Sequence, residues 1–131
     1  MTVLVVDDDF SVLRVAAAVL KRAGYEVVTA SNAKSALAVC EEHHAQVAVV
    51  VSDVCMPGMS GFDLAKSICA LERPIPVILM SGYWGDGALT AGVAAEIEAV
   101  GFLEKPFAAS DLLRQVRLAS AKMAATATAG G

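Results

Sequence analysis

The sequence predicts an α/β fold, a doubly wound parallel sheet with helices on both faces. Three observations carry this expectation. Short, β-branched apolar runs recur along the 131 residues, stretches with apolar residues at helical spacing lie between them, and the two alternate five times. Continuous apolar runs suit strands buried on both faces. Regular strand–helix alternation suits a parallel sheet joined by crossover helices.

Residues 3–6 form the first run. Residues 10–23 read as a helix, because Val12, Leu13, Ala16, Val19, Leu20 and Ala23 give a stripe of period 3.6 and Gly24 supplies a stop. The second strand spans 25–29. Ser31 or Asn32 can cap a helix reaching about residue 42. The third strand spans 47–51, and a helix runs from 60 to about 71. Pro76 opens the fourth strand, 76–80, at a position where a missing N–H does little harm. Residues 86–99 are expected to be helical although Gly87 and Gly92 weaken the pattern. A short fifth strand, 100–103, precedes a last helix from 110 to about 123, with Leu112, Leu113, Val116 and Ala119 facing inward. The closing "AATATAGG" has low complexity and no large apolar residue, so a single domain over 1–122 with a flexible tail over 123–131 is expected.

Bulk properties narrow the function. Ten basic against fourteen acidic residues give a net charge of −4 and a pI near 5.0, which speaks against direct DNA binding through a basic surface. Hydrophobic residues make up 56%, but much of this is alanine, and no apolar stretch approaches the roughly 20 residues of a membrane-spanning helix. The start, "MTVLVVDDD", turns acidic at Asp7 and lacks the charge pattern of a leader. The expectation is a cytoplasmic protein with no membrane partner. Cys40, Cys55 and Cys69 are odd in number and form no CxxC. Cys40 and His44 are four apart on one helix, but two ligands do not close a metal shell.

In open α/β sheets, ligands bind beyond the carboxyl ends of the strands. In this chain the first strand ends in Asp7, Asp8 and Asp9, the third ends at Asp53, the fourth ends at Ser81 followed by Gly82, and Lys105 and Pro106 follow the fifth. A single Asp after a strand reads as a turn or cap. Carboxylates converging on one rim repel each other, and a hard divalent cation such as Mg²⁺ relieves that repulsion. Lys105 adds positive charge and Ser81 a hydroxyl donor. Asp53 is then placed to act as a nucleophile toward phosphorus.

The segments "LVVDDD", "VSDVCMPGMSGFDL", "LMSGY" and "FLEKPF", in that order over about residues 2–122, resemble the receiver domain of two-component response regulators. The resemblance implies a flavodoxin-like (βα)5 fold with strand order 2-1-3-4-5. It implies Asp53 as phosphoacceptor. Asp7, Asp8, Asp53 and the backbone carbonyl of Cys55 would hold Mg²⁺, Asp8 more directly and Asp7 partly through water. The Cys55 thiol itself is too soft a ligand for that ion. Ser81 would hydrogen-bond the phosphoryl group, and Lys105 would pair with its oxygens, with a peptide to Pro106 that is typically cis. Phe102 occupies the position of an aromatic switch and, lacking a hydroxyl, would act by packing. Cys55 and Tyr83 stand where the family tunes phosphoryl lifetime.

The implied function is a bacterial phosphorylation-dependent switch in a two-component system or phosphorelay, not a classical enzyme. It takes a phosphoryl group from the phosphohistidine of a sensor histidine kinase or a histidine phosphotransfer protein. Its affinity for a downstream protein then changes at the face formed by the fourth helix, fifth strand and fifth helix, as a monomer or a phosphorylation-dependent dimer. Two departures stand out. The segment between Ser81 and Lys105 is Gly-rich and carries Trp84, and the last helix starts with Ala108 and Ala109 in place of the common Thr-Pro, leaving Ser110 as a cap. Met1 directly before the first strand suggests a free-standing regulator; the receiver segment of a hybrid histidine kinase is the alternative. A further alternative is a haloacid-dehalogenase-like phosphatase, whose DxDx[ST] signature Asp7, Asp9 and Ser11 fit with Asp7 as nucleophile, but that reading leaves Asp53 and "KPF" unexplained.

Overall fold

Each apolar run becomes a strand. The computed structural model describes residues 1–43, 46–56, 58–71, 75–81 and 101–130, with side chains through residue 121. The elements are β1 (Thr2–Val6), α1 (Phe10–Arg22), β2 (Glu26–Ala30), α2 (Ala33–His43), β3 (Val47–Asp53), α3 (Gly61–Cys69), β4 (Val77–Ser81), β5 (Gly101–Glu104) and a C-terminal helix (Ala109–Gly130). The sheet order is β2-β1-β3-β4-β5, and every described pair is parallel. This is the expected flavodoxin-like order.

Side chains of a strand alternate between faces, so each central strand feeds two cores. Leu4, Val6, Val50 and Leu79 pack with Ala33, Ala36 and Cys40 of α2 and with Leu64, Ala65 and Ile68 of α3. Val3, Val5, Val49, Val51, Ile78 and Met80 pack with Leu13, Ala16 and Leu20 of α1 and with Leu112, Val116 and Ala119 of the C-terminal helix. The apolar runs are continuous because both faces are covered.

Two of the predicted helix signals hold, whereas Ser110, expected to cap the last helix, lies inside it because that helix begins at Ala109. Gly24 stops α1 with φ 97°, a conformation glycine adopts without a Cβ penalty, and the Tyr25 N–H closes the turn onto the Leu20 carbonyl at 3.1 Å. Asn32, not Ser31, serves α2: its Oδ1 accepts from the Ser35 N–H at 2.8 Å.

Most element boundaries lie within one or two residues of expectation, and the end of the last helix differs by more. β3 runs through Asp53, which pairs with Met80, so the strand ends on Asp53 as expected. Ser60 lies outside α3 as its N-cap. The C-terminal helix continues to Gly130 through the segment expected to be a flexible tail. That segment is rich in alanine, the strongest helix former, and neither Pro nor Gly interrupts 109–129. The helix expected over 86–99 and the residues Tyr83, Trp84, Pro57 and His44 lie outside the described residues.

Candidate functional site

The parallel register brings the strand ends to one rim. Val6 pairs with Ser52, Asp53 with Met80 and Ser81 with Glu104. Asp7, Asp53, Ser81 and Lys105 therefore emerge side by side at the carboxyl edge, although they span most of the chain. Asp7 is fully buried, Asp53 is 7% exposed and Ser81 5%, whereas Asp8 and Asp9 are exposed.

Lys105 joins the first and third strand ends. Its Nζ lies 2.6 Å from Asp7 Oδ2 and 3.2 Å from Asp53 Oδ1. Asp7 is held from its other oxygen as well, since Oδ1 accepts from the Asp9 N–H at 2.9 Å. The Lys105 N–H donates to the Ser81 carbonyl at 2.8 Å, which ties the start of the β5 loop to the end of β4. The Lys105–Pro106 peptide is cis.

Electrostatics at the rim are unbalanced. Burial pushes the Asp53 carboxyl above its usual range, the charge of Asp7 adds to this, and the hydrogen bond and charge of Lys105 only partly offset it. Burial alone would lower the Lys105 ammonium, but its hydrogen bonds to Asp7 and Asp53 and their charges prevail and hold it above the ordinary lysine value. Carboxylate oxygens of Asp7, Asp8 and Asp53 lie within 4.8 Å of one another. One ammonium against three carboxylates leaves an excess of two negative charges. A compact, all-oxygen, doubly negative cluster fits a small hard dication such as Mg²⁺.

The remaining predicted residues fall around this cluster. Cys55 lies in the loop after β3 with its thiol exposed. Phe102 is half-buried on β5, against the core on the α2–α3 side of the sheet. Asp9 is the N-cap of α1, accepting from the Ser11 N–H at 2.9 Å; capping thus accounts for the Asp9–Ser11 spacing of the phosphatase signature. Cys40 is buried in the core, and burial, with the neighbouring Glu41, pushes its thiol up to about 11. It is a packed thiol and a poor metal ligand.

One residue was missed by sequence reasoning as a contributor to the site. Gly61 opens α3 directly against the end of β3, and its N–H donates to the Val54 carbonyl at 2.9 Å. A Cβ at this position would run into the Asp53 carbonyl and come within 2.9 Å of the Val54 Cα. Ser60 and Asp63 fix the start of the same helix by a capping box. The Ser60-x-x-Asp63 spacing was the available signal; the proximity to Asp53 has none in local sequence.

Comparison with known proteins agrees with this geometry. Residues 3–117 match the family model of the response regulator receiver domain. The chain is 36% identical over 121 residues to the C4-dicarboxylate transport transcriptional regulatory protein DctD of Rhizobium meliloti, covering 92% of this chain and 25% of that protein. It is 36% identical over 116 residues to the sensor kinase CckA of Brucella abortus, covering 88% of this chain and 12% of that one. It thus spans only a minor part of these curated relatives. Among solved structures, a response regulator receiver domain protein from Clostridium thermocellum superposes with a TM-score of 0.82 at 31% identity, over 92% of this chain and 94% of that one.

Proposed function

The chain belongs to the response regulator receiver domain family, and on that premise we propose that Asp53 is its phosphoacceptor, with a phosphohistidine of a sensor histidine kinase or histidine phosphotransfer protein as donor. The observation that carries the reading is the Lys105 bridge. A half-buried lysine holds Asp53 from one side, 3.2 Å from Oδ1, and is anchored by Asp7 at 2.6 Å.

The chemistry follows from the charges. Asp53 must be ionised to attack; burial and Asp7 oppose ionisation and Lys105 favours it. A carboxylate oxygen of Asp53 displaces the histidine nitrogen at phosphorus: the O–P bond forms, the N–P bond breaks, and the released imidazole takes up a proton. Lys105 is within reach of the oxygens of the group so formed. Asp7, Asp8 and Asp53, with the backbone carbonyl of Cys55, would hold Mg²⁺, which when bound offsets the excess negative charge and that of the incoming phosphoryl group.

Ser81 hydrogen-bonds the new phosphoryl group, and Phe102 follows by packing. The link from Lys105 N–H to Ser81 O gives a route by which a shift at the β4 end reaches β5. The output is a population shift between two conformations, read by a downstream protein at the face beyond β4 that includes β5 and the C-terminal helix. Cys55 and Tyr83 set the rate at which water removes the phosphoryl group. The receiver unit spans residues 1–122 and acts in the cytoplasm, where the donor kinase presents its histidine.

Incubation with acetyl phosphate and Mg²⁺, followed by intact mass, tests the central assignment. Wild-type protein is expected to gain one phosphoryl group and Asp53→Asn none. A gain that survives the substitution overturns the assignment, and one lost only on Asp7→Asn while surviving Asp53→Asn would favour the phosphatase-like reading.

A further inference from the structure

A second feature runs between α1 and β2, from Phe10 and Ser31 beside the carboxyl rim to Lys21. The middle of α1 carries Ala17 and Ala18, and β2 presents Thr29 toward the same side of the sheet. These short side chains leave a groove of about 610 Å³, lined among others by Phe10, Arg14, Ala17, Lys21, Thr29 and Ser31. Phe10 is 72% exposed at one end. Arg14 and Lys21, both exposed, flank the groove, and α1 contains no acidic residue in a chain whose net charge is −4.

The groove runs beside an open sheet edge. β2 ends the sheet order, and among the described residues nothing pairs with its outer side. The Glu26 N–H donates to the Met1 carbonyl and the Ala30 carbonyl accepts from the Asp7 N–H. Residues 26, 28 and 30 therefore turn toward β1, and Val27 and Thr29 turn their N–H and C=O groups outward. Natural edges are guarded by Lys, Pro or a bulge. β2, "EVVTA", has none of these and keeps an unbroken register along its five residues. Its one charge, Glu26, accepts from Thr2 Oγ1 at 3.1 Å on the opposite sheet face from Thr29.

We propose that the α1–β2 groove is the docking site for an extended acidic segment of a partner protein, which adds as a strand to the outer edge of β2. Backbone groups of Val27 and Thr29 supply the ladder. Every second side chain of the added strand projects over the groove, where Arg14 and Lys21 select carboxylates and Phe10 and Ala17 receive an apolar neighbour. A second copy of this chain is a poorer occupant. A two-fold antiparallel pair of β2 strands would set two Arg14–Lys21 rims side by side, and like charges so placed repel. This docking does not depend on phosphorylation of Asp53.

The test uses the full chain and an acetylated, amidated peptide of three Val-Glu repeats, followed by amide chemical shifts at low salt. Saturable binding that shifts Val27, Thr29 and α1 is expected. It should weaken at least about tenfold in Arg14→Glu/Lys21→Glu, and as much in Thr29→Pro, which removes an outward donor. A three-repeat Val-Lys peptide should not bind. The dispersion of each variant's amide chemical shifts checks that it is folded; if Thr29→Pro fails that check, the charge-reversed protein decides alone. The proposal is overturned if binding is absent, maps elsewhere or persists in the folded variants. It is equally overturned if the Val-Lys peptide binds as well, if anionic vesicles or nucleic acid occupy the groove while Thr29→Pro is without effect, or if sedimentation shows a dimer that Thr29→Pro abolishes.

Discussion

Lys105 contacts two carboxylates at once, Asp7 at 2.6 Å and Asp53 at 3.2 Å, yet Asp53 stays harder to ionise than an ordinary aspartate because burial and Asp7 outweigh the lysine. A carboxyl whose folded pKa is raised keeps its proton after the unfolded chain has released it. Its favourable contribution is then present at low pH and lost as pH rises through the folded value. Asp53→Asn is therefore expected to raise the melting temperature of the metal-free protein by roughly a few degrees near pH 7. The gain should shrink as pH falls through the folded value and the wild-type carboxyl takes up its proton. Thermal melts in EDTA across this range check the sign, and a variant that melts below wild type throughout contradicts it. The residues of this site were legible in the sequence. Their imbalance was not, because it depends on how deeply each is buried and on which oxygen Lys105 reaches.

At the scale of elements, the start of α3 sets how closely a helix can approach the phosphoacceptor strand. Two effects compete in Gly61→Ala. Helix propensity favours alanine by about 1 kcal/mol, whereas a Cβ here meets the Asp53 and Val54 backbone, which cannot swing aside as a side chain can. Overpacking of this kind costs about 1–3 kcal/mol, so the clash is expected to prevail. Urea unfolding should show a lower midpoint, and phosphorylation from acetyl phosphate should slow in the protein that remains folded. Unchanged stability and rate would mean that α3 shifts away freely. The C-terminal helix teaches the complementary lesson. The expected tail was inferred from low complexity, but an alanine-rich stretch without Pro or Gly continues a helix already begun at Ala109, since elongation is far easier than nucleation.

For the whole molecule, the carboxyl edge concentrates negative charge in a fold whose two cores are otherwise apolar. A dication that binds only the folded chain stabilises it by mass action, about 2.7 kcal/mol at one hundred times its dissociation constant. Magnesium is expected to raise the melting temperature of wild-type protein, EDTA to reverse the rise, and Asp53→Asn to reduce it sharply. Equal magnesium responses in the two proteins, read by differential scanning calorimetry, would argue that the acidic rim does not hold the ion.

The sequence by itself determined the alternation of strand and helix, the α/β class and the placement of acids, hydroxyl and lysine at successive strand ends. These are written in local periodicity and in the order of residues along the chain, and strand ends share one rim in any parallel sheet. Only the tertiary structure decided that Lys105 closes on Asp7 across 98 positions, that Gly61 abuts the Asp53 carbonyl, and that short side chains on α1 and β2 leave a basic groove beside an open edge. The physical reason is that hydrogen bonds and close contacts act over a few ångströms in space, and only the register of the strands and the packing of the helices fix which distant residues come within that range.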